Sequence, residues 1–252
     1  MGARERNRLA RHSDYLRTAL RIATEDGIQA LTMQRLAAEV DAAIGTVYTY
    51  FPSKGALLAE VQREALDRLV GSYLLLRADV EARVADLDPV VATATHLVAF
   101  GRFWIASLET FPQEQALLQQ LMSDSRRAVP DDELGRVMPA ILRLFDLARE
   151  RFDAAQAAGA VGAGDAMDRT ITYAGALAGV LGVGNLDRWD VDLLDGRRLG
   201  RGLVDSLLVG WGADPEVVAA ANGVLDAIAR RHPIARPLPD ADPVALLEEV
   251  AR

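Results

Sequence analysis

The chain has 252 residues, half of them hydrophobic, and a formal net charge of −8, enough length for a small domain and a larger one, each with its own core. It has no cysteine, which excludes disulfides and thiolate zinc sites, and its three isolated histidines (His12, His96, His232) show no metal-ligand spacing. The charge is unevenly placed: residues 1–54 hold eight basic and six acidic groups, the remainder 20 basic and 30 acidic, so a net +2 head sits on a −10 body.

In chain order, Ser13 is placed to cap a first helix whose apolar positions Leu16, Ala19, Leu20 and Ala23 recur at helical spacing, with Gly27 ending it. Before it, Arg4, Arg6, Arg8 and Arg11 read as a solvated tail, or as an arm for an adjacent minor groove. Thr32 caps a second helix with Met33, Leu36, Ala37 and Val40 on its buried face. A turn at Asp41–Ala42 leads to a third near Ala43–Tyr50, and Ser53 caps a long fourth running past Leu76. Downstream, Asp88–Pro89, Asp214–Pro215 and Asp242–Pro243 repeat one start signal, an acidic N-cap followed by a proline whose missing donor costs nothing there. Helices are predicted over 89–109, 112–126, 131–158, 165–185, 196–211, 215–231 and 243–251, with Pro139 kinking the third of these and a proline-rich link over 234–242. No strand-period alternation occurs, so the fold class is all-α.

Two short helices around a tight turn, an aromatic exit (Tyr48, Tyr50, Phe51) and a lysine opening the next helix suit the holding of DNA phosphate. The stretch from Leu31 to Leu58, LTMQRLAAEVDAAIGTVYTYFPSKGALL, resembles the N-terminal domain of the tetracycline-repressor (TetR) family of bacterial transcription regulators. The resemblance implies a three-helix DNA-binding domain over residues 1–55 and a larger helical ligand-binding and dimerisation domain over 56–252. It implies DNA contacts from Thr32 and Gln34 and from Ala43, Ile44, Gly45, Thr46 and Tyr48. Tyr50 and Lys54 join Tyr48 in clamping phosphate. Gln34 suits a bidentate contact with adenine, and Ile44 or Ala43 a thymine methyl group. Phe51, with no polar tip, reads as a core plug. Tyr48 and Tyr50 can pack a ring and present a hydroxyl at once. The turn has Asp41 where the family commonly has glycine, and Ala43 stands where it often has a capping serine.

Small residues line two later helices, Ala174, Gly175, Ala178, Gly179 and Gly182, then Gly196 and Gly200 with Leu203 and Leu207. They permit close backbone approach, either within the chain or across a two-fold axis, and the resemblance favours a homodimer. The set Phe100, Phe103, Trp104, Met122, Met138, Phe145, Tyr173 and Trp189 reads first as core. The resemblance implies that part of it lines an effector cavity, chiefly Phe103, Trp104, Met122, Phe145 and Tyr173, with His96 or Tyr173 meeting a polar group. With no evident buried countercharge, the expected effector is hydrophobic.

No nucleophile elbow, phosphate loop or paired metal carboxylates occur, and GAVGAG at 159–164 follows a helix rather than a strand, so neither an enzyme nor a cofactor is expected. The arginine-rich N-terminus has no signal-peptide core, and the apolar stretch 171–184 is too short to span a bilayer. The expected protein is therefore cytoplasmic, without membrane contact. It is a repressor binding double-stranded operator DNA and released by a small effector. The alternative is a helical small-molecule-binding protein whose DNA module no longer reads bases.

Overall fold

The computed structural model describes residues 2–123, 130–184, 189–190 and 192–238. Its helices are α1 (Ala3–Glu25), α2 (Met33–Glu39), α3 (Ile44–Tyr50), α4 (Lys54–Val84), α5 (Pro89–Thr110), α6 (Pro112–Ser123), α7 (Leu134–Ala158), α8 (Ala166–Gly184), α9 (Gly196–Gly210) and α10 (Pro215–Ala229). No strand occurs among the described residues. The chain forms two compact units, one of Met1–Arg68 with Phe111–Ile141, the other of Leu69–Thr110 with Leu142–Arg252.

In the first unit the apolar face of α1 (Tyr15, Leu16, Ala19, Leu20, Ala23) joins Met33, Leu36 and Ala37 of α2 and Val47 of α3. Phe51, fully buried, closes this core together with Leu57, Leu58 and Val61 of α4 and Leu117 of α6. Two side-chain contacts tie α4 to α6: Gln62 donates to the Leu117 carbonyl at 3.3 Å, and Arg68 pairs with Glu114 at 3.2 Å. The local start signals act as their chemistry suggests. Thr32 accepts from the Arg35 amide at 3.1 Å and Ser53 from that of Ala56 at 2.9 Å. Each such cap is worth about 1 kcal/mol.

The first helix departs from the sequence reading. It begins at Ala3, ten residues before Ser13, behind a Gly2 N-cap that supplies no side-chain acceptor. Residues 4–11 are therefore helical rather than a tail. Arginine, leucine and alanine are strong helix formers, and the turns around Ser13 extend in both directions without a cap. Gly27 does end the segment, in the left-handed region at φ +87°.

The second unit is built on α5, buried almost continuously from Ala94 to Ser107. It is the one helix among the described residues long and apolar enough to cross a membrane, and 72% of that stretch is buried within the protein, as expected of a core helix. Gly101 sets the spacing here. A Cβ there would strike Tyr173 Oη of α8 and Val204 Cγ2 of α9, while the Tyr173 hydroxyl donates to the Leu97 carbonyl at 3.0 Å. A Cβ on Gly200 would lie 2.7 Å from Ile105 Cδ1. Gly200, Val204 and Leu208 thus serve packing within the chain, one of the two arrangements that the small-residue spacing allowed.

Asp88 and Asp214 cap α5 and α10, each accepting from the amide two residues on at 2.8 Å. The third such pair, Asp242–Pro243, and the helix predicted over 243–251 lie outside the described residues. Helix α7 starts at Leu134, after a turn at 131–133, and continues through Pro139; proline there removes the donor that would have met the Gly135 carbonyl. The link expected over 234–242 is docked where described. Ser72 donates to the Arg236 carbonyl at 2.7 Å and accepts from its amide at 3.1 Å, and Arg236 pairs with Asp79 at 2.6 Å.

Candidate nucleic-acid interface

The first unit presents α2 and α3 on a short, locally braced frame. Asp41 takes φ +48° in the turn between them, a left-handed conformation that aspartate tolerates better than most residues. Helix α3 then starts at Ile44, behind an Ala43 N-cap that supplies no side-chain acceptor. The frame is held by ion pairs between helices and loop: Arg21 of α1 meets Glu39 of α2 at 2.6 Å, and Arg35 meets Asp26 at 2.6 Å. These two arginines are thereby committed to carboxylates within the unit.

The predicted residues separate by exposure. Gln34, Ala43, Ile44, Gly45 and Tyr48 are exposed; Thr32, Thr46, Tyr50 and Lys54 are half-buried. Within α3 the neighbour of Tyr48, Val47, is fully buried, so one face of the helix anchors it and the other is open. Ile44 and Tyr48, one turn apart, are 39% and 47% exposed, unusual for large apolar rings and branches on a helix whose core face is already filled. Tyr50 instead packs edge-on against Tyr15 with centroids 5.1 Å apart, and Phe51 stacks on His12 at 5.1 Å. Nothing lies within 4 Å of a Cβ built on Gly45. Its cost to the helix, about 1 kcal/mol relative to alanine, is therefore not required by packing inside the chain.

From α1, Arg11, Asp14, Arg17 and Thr18 border a concavity of about 620 Å³ whose other wall is Glu39–Ala43 and Thr46, with Arg17 paired to Asp14 at 3.0 Å. Behind the surface, His12 Nε2 lies 2.9 Å from Glu60. Burial pushes the Glu60 carboxyl up, but the His12 hydrogen bond and charge, with Arg63 and Arg136, outweigh it and leave the group below its ordinary value.

Lys54 opens α4 beside the Ser53 cap. Gly55 lets a second segment approach, because its Cβ would lie 3.1 Å from Pro130 Cγ and 3.2 Å from Glu133 Cγ. Glu133 itself pairs with Arg136 at 2.6 Å.

The residues expected around an effector lie in the second unit, apart from Met122, which is outside the described side chains. Phe103, Trp104 and Tyr173 are buried and Phe145 is half-buried. Phe100 and Trp104 stack at 14° with centroids 6.1 Å apart, and Tyr73 meets Phe100 edge-on at 5.2 Å. Tyr173 is packed by Phe152 and Trp211, two aromatics the sequence reading passed over. His96 is 7% exposed, and its Nδ1 has no hydrogen-bond partner. Burial, reinforced by Arg151 and Arg77 against the opposing pull of Glu81, lowers its pKa to about 4.

Residues 16–61 match the family model described as bacterial regulatory proteins, tetR family. The chain carries a tetR-family N-terminal domain. Solved structures extend the likeness over both units. A protein described as a tetR family transcription regulator from Shewanella sp. PV-4 is 18% identical, with a TM-score of 0.52 over 77% of this chain and 95% of its own. AibR, solved with isovaleryl coenzyme A and operator DNA, is 17% identical with a TM-score of 0.52, covering 79% and 98%. A protein described as a transcriptional regulator from Saccharomonospora viridis, solved with choline, is 17% identical with a TM-score of 0.51, covering 88% and 97%. A comparison with curated protein sequences returns no match. The chain thus has the fold of a TetR-family transcription regulator.

Proposed function

We propose that this chain is a homodimeric, cytoplasmic transcriptional repressor that binds a near-palindromic operator and leaves it when a small molecule enters the C-terminal unit. The observation that carries the reading is the division of α2 and α3. Leu36, Val47 and Phe51 are spent on the core, while Gln34, Ile44, Gly45 and Tyr48 are left open within the segment that matches the tetR family. Gln34 is the base-reading group. Tyr48, Tyr50 and Lys54, with Thr32 and Thr46, hold phosphate, and the bare Gly45 lets α3 approach the major groove.

A palindromic operator calls for a two-fold protein. Along α8, Ile171, Gly175, Gly179 and Val183 recur every fourth residue and are all exposed, and no atom lies within 4 Å of a Cβ on either glycine. Gly202, Ser206 and Val209 form a matching open stripe on α9. Two such faces, apolar and thin, are suited to pack across a two-fold axis.

Helix α4 supplies residues 54–68 to one unit and 69–84 to the other, and we assign the coupling to it. The effector must bind the DNA-incompetent arrangement better than the competent one. AibR and the S. viridis protein hold unlike ligands, so the effector's chemistry must be read from this chain's own residues.

The test is selection from a random DNA pool followed by fluorescence anisotropy on the recovered sequence and on a scrambled one. The expected result is a two-fold symmetric site bound at least about a thousandfold tighter than scrambled DNA. Equal affinity for both would favour the rival reading, a ligand-binding protein whose helix–turn–helix no longer reads bases.

A further inference from the structure

The interior arginines of the second unit are not used alike. Arg102 reaches Asp226 at 2.9 Å, and Arg169 donates to the carbonyls of Gly162 and Ala163 at 2.7 and 3.1 Å while lying over the Trp211 ring. Arg236 meets Asp79 at 2.6 Å. Each of these is satisfied by the fold. Arg151 of α7 is different. Its side chain is only 18% exposed, its nearest carboxylates, Glu150 and Glu81, stand at 3.6 and 3.9 Å, and its buried Nε has no hydrogen-bond partner.

A second unpartnered group belongs to the same neighbourhood. His96 of α5 is buried with Nδ1 unmatched, and Arg151 lies close enough to act on its charge. Buried polar atoms in native proteins are nearly always paired, so the two orphans call for an explanation. Their helices meet through a shared ring: Phe152, next to Arg151, packs edge-on against Tyr173 at 5.8 Å, and Tyr173 lies 6.0 Å from Phe100, one turn from His96. One turn along α5 from His96 stands Phe100 and one turn further Trp104, their rings nearly parallel, with Tyr73 edge-on. Polar groups at one end of an aromatic stripe are the arrangement that recognises an amphipathic ligand.

We infer that Arg151 and His96 receive the carboxylate of a monoanionic effector whose flat or apolar body lies along Phe100 and Trp104. The inference rests on the effector reading above and specifies its chemistry. Arginine offers a planar fork matched to a carboxylate, and a neutral imidazole keeps one donor for the same group. The surroundings select a single negative charge. Arg77 is taken up by Glu81 at 2.8 Å, which leaves Arg151, with only the looser contacts to Glu150 and Glu81, as the one guanidinium open to an anion rather than the pair a phosphate monoester calls for. A carboxylate differs from the mostly hydrophobic effector expected where no buried countercharge was evident, because the fold brings Arg151 inside.

The test titrates the full-length protein with benzoate, phenylacetate and octanoate, with their uncharged amides, and with benzyltrimethylammonium, reading calorimetry and tryptophan fluorescence. At least one carboxylate should bind at least about tenfold tighter than its amide. Arg151→Met should abolish that preference, and Arg151→Lys, which keeps the charge without the fork, should retain part of it. Failure of every carboxylate to bind, or amide or ammonium affinity equal to that of the acid, overturns the inference without recourse to a variant. The same compounds are added to the operator complex. A carboxylate that binds through Arg151 but leaves DNA affinity unchanged supports the site and refutes the effector reading. Release of DNA by the ammonium compound alone does the reverse.

Discussion

His96 should make the second unit measurably acid-sensitive. The imidazole is faced by Arg77 and Glu81 from α4 and by Arg151 from α7, and burial with the two arginines lowers its pKa to about 4. In the unfolded chain the value returns to about 6.5. The unfolded state therefore binds a proton that the folded state refuses over the window between these values. Stability contributed by the neutral form is complete above pH 6.5 and is lost as pH falls toward 4. Linkage gives a loss of about 2 kcal/mol at pH 5.0 and about 3 kcal/mol at pH 4.0 relative to pH 7.5. The chain has three tryptophans, Trp104, Trp189 and Trp211, all in the second unit, so urea unfolding followed by fluorescence reads that unit. Carboxylates elsewhere also titrate, and the comparison with His96→Gln cancels them. The wild type should lose about 2 kcal/mol more than the variant between pH 7.5 and 5.0. Parallel pH profiles for the two proteins would refute the placement of His96 as a buried neutral base.

Three further outcomes follow from the proposed function. Lys54→Ala should weaken binding to all DNA sequences alike and lower the salt slope by about one, read by anisotropy across a salt series; an unchanged slope removes Lys54 from the phosphate clamp. Gln34→Ala should relax preference at one base pair per half-site by roughly 1–3 kcal/mol, and should leave non-specific affinity intact. Gly179→Leu should split or distort the dimer in sedimentation while the subunit stays folded, because its Cβ meets open space within the chain and leucine improves helix propensity by somewhat under about 1 kcal/mol. An unaltered dimer would exclude this face of α8.

The starts of α2, α4, α5 and α10 were legible because a capping side chain acts on amides two or three residues away, a purely local event. The start of α1 was not, because Gly2 contributes no side-chain signal and Ser13 imitates one. Exposure within α3 was partly legible: Phe51 has no polar tip and was read as core, as it is, whereas Tyr50 and Tyr48 differ only in what lies opposite. Spacing showed that small residues of α8 and α9 share faces. It did not show that Gly200 meets Ile105 while Gly175 and Gly179 meet no side chain, since helical periodicity specifies a face and not its neighbour.

The same limit hid Arg151. In sequence it sits in an RERFD run of an amphipathic helix, where charges usually form a solvated face. Arg149, two residues earlier, behaves that way, bridging Asp146 and Asp153 at 3.0 and 2.9 Å on the exposed side of α7. Two positions along a helix turn the chain by about 200°, so Arg151 points away from those carboxylates, toward the side on which Phe152 and Ala155 are buried. The carboxylates of its own helix that would have neutralised it are therefore out of reach, apart from the loose contact with Glu150. Its guanidinium has no carboxylate nearer than Glu150 at 3.6 Å and Glu81 at 3.9 Å, and its Nε has no hydrogen-bond partner. A group in that position is costly to keep unless something else pairs with it, which is why the ligand titration with Arg151 variants tests the origin of the arginine's placement as well as the identity of the effector.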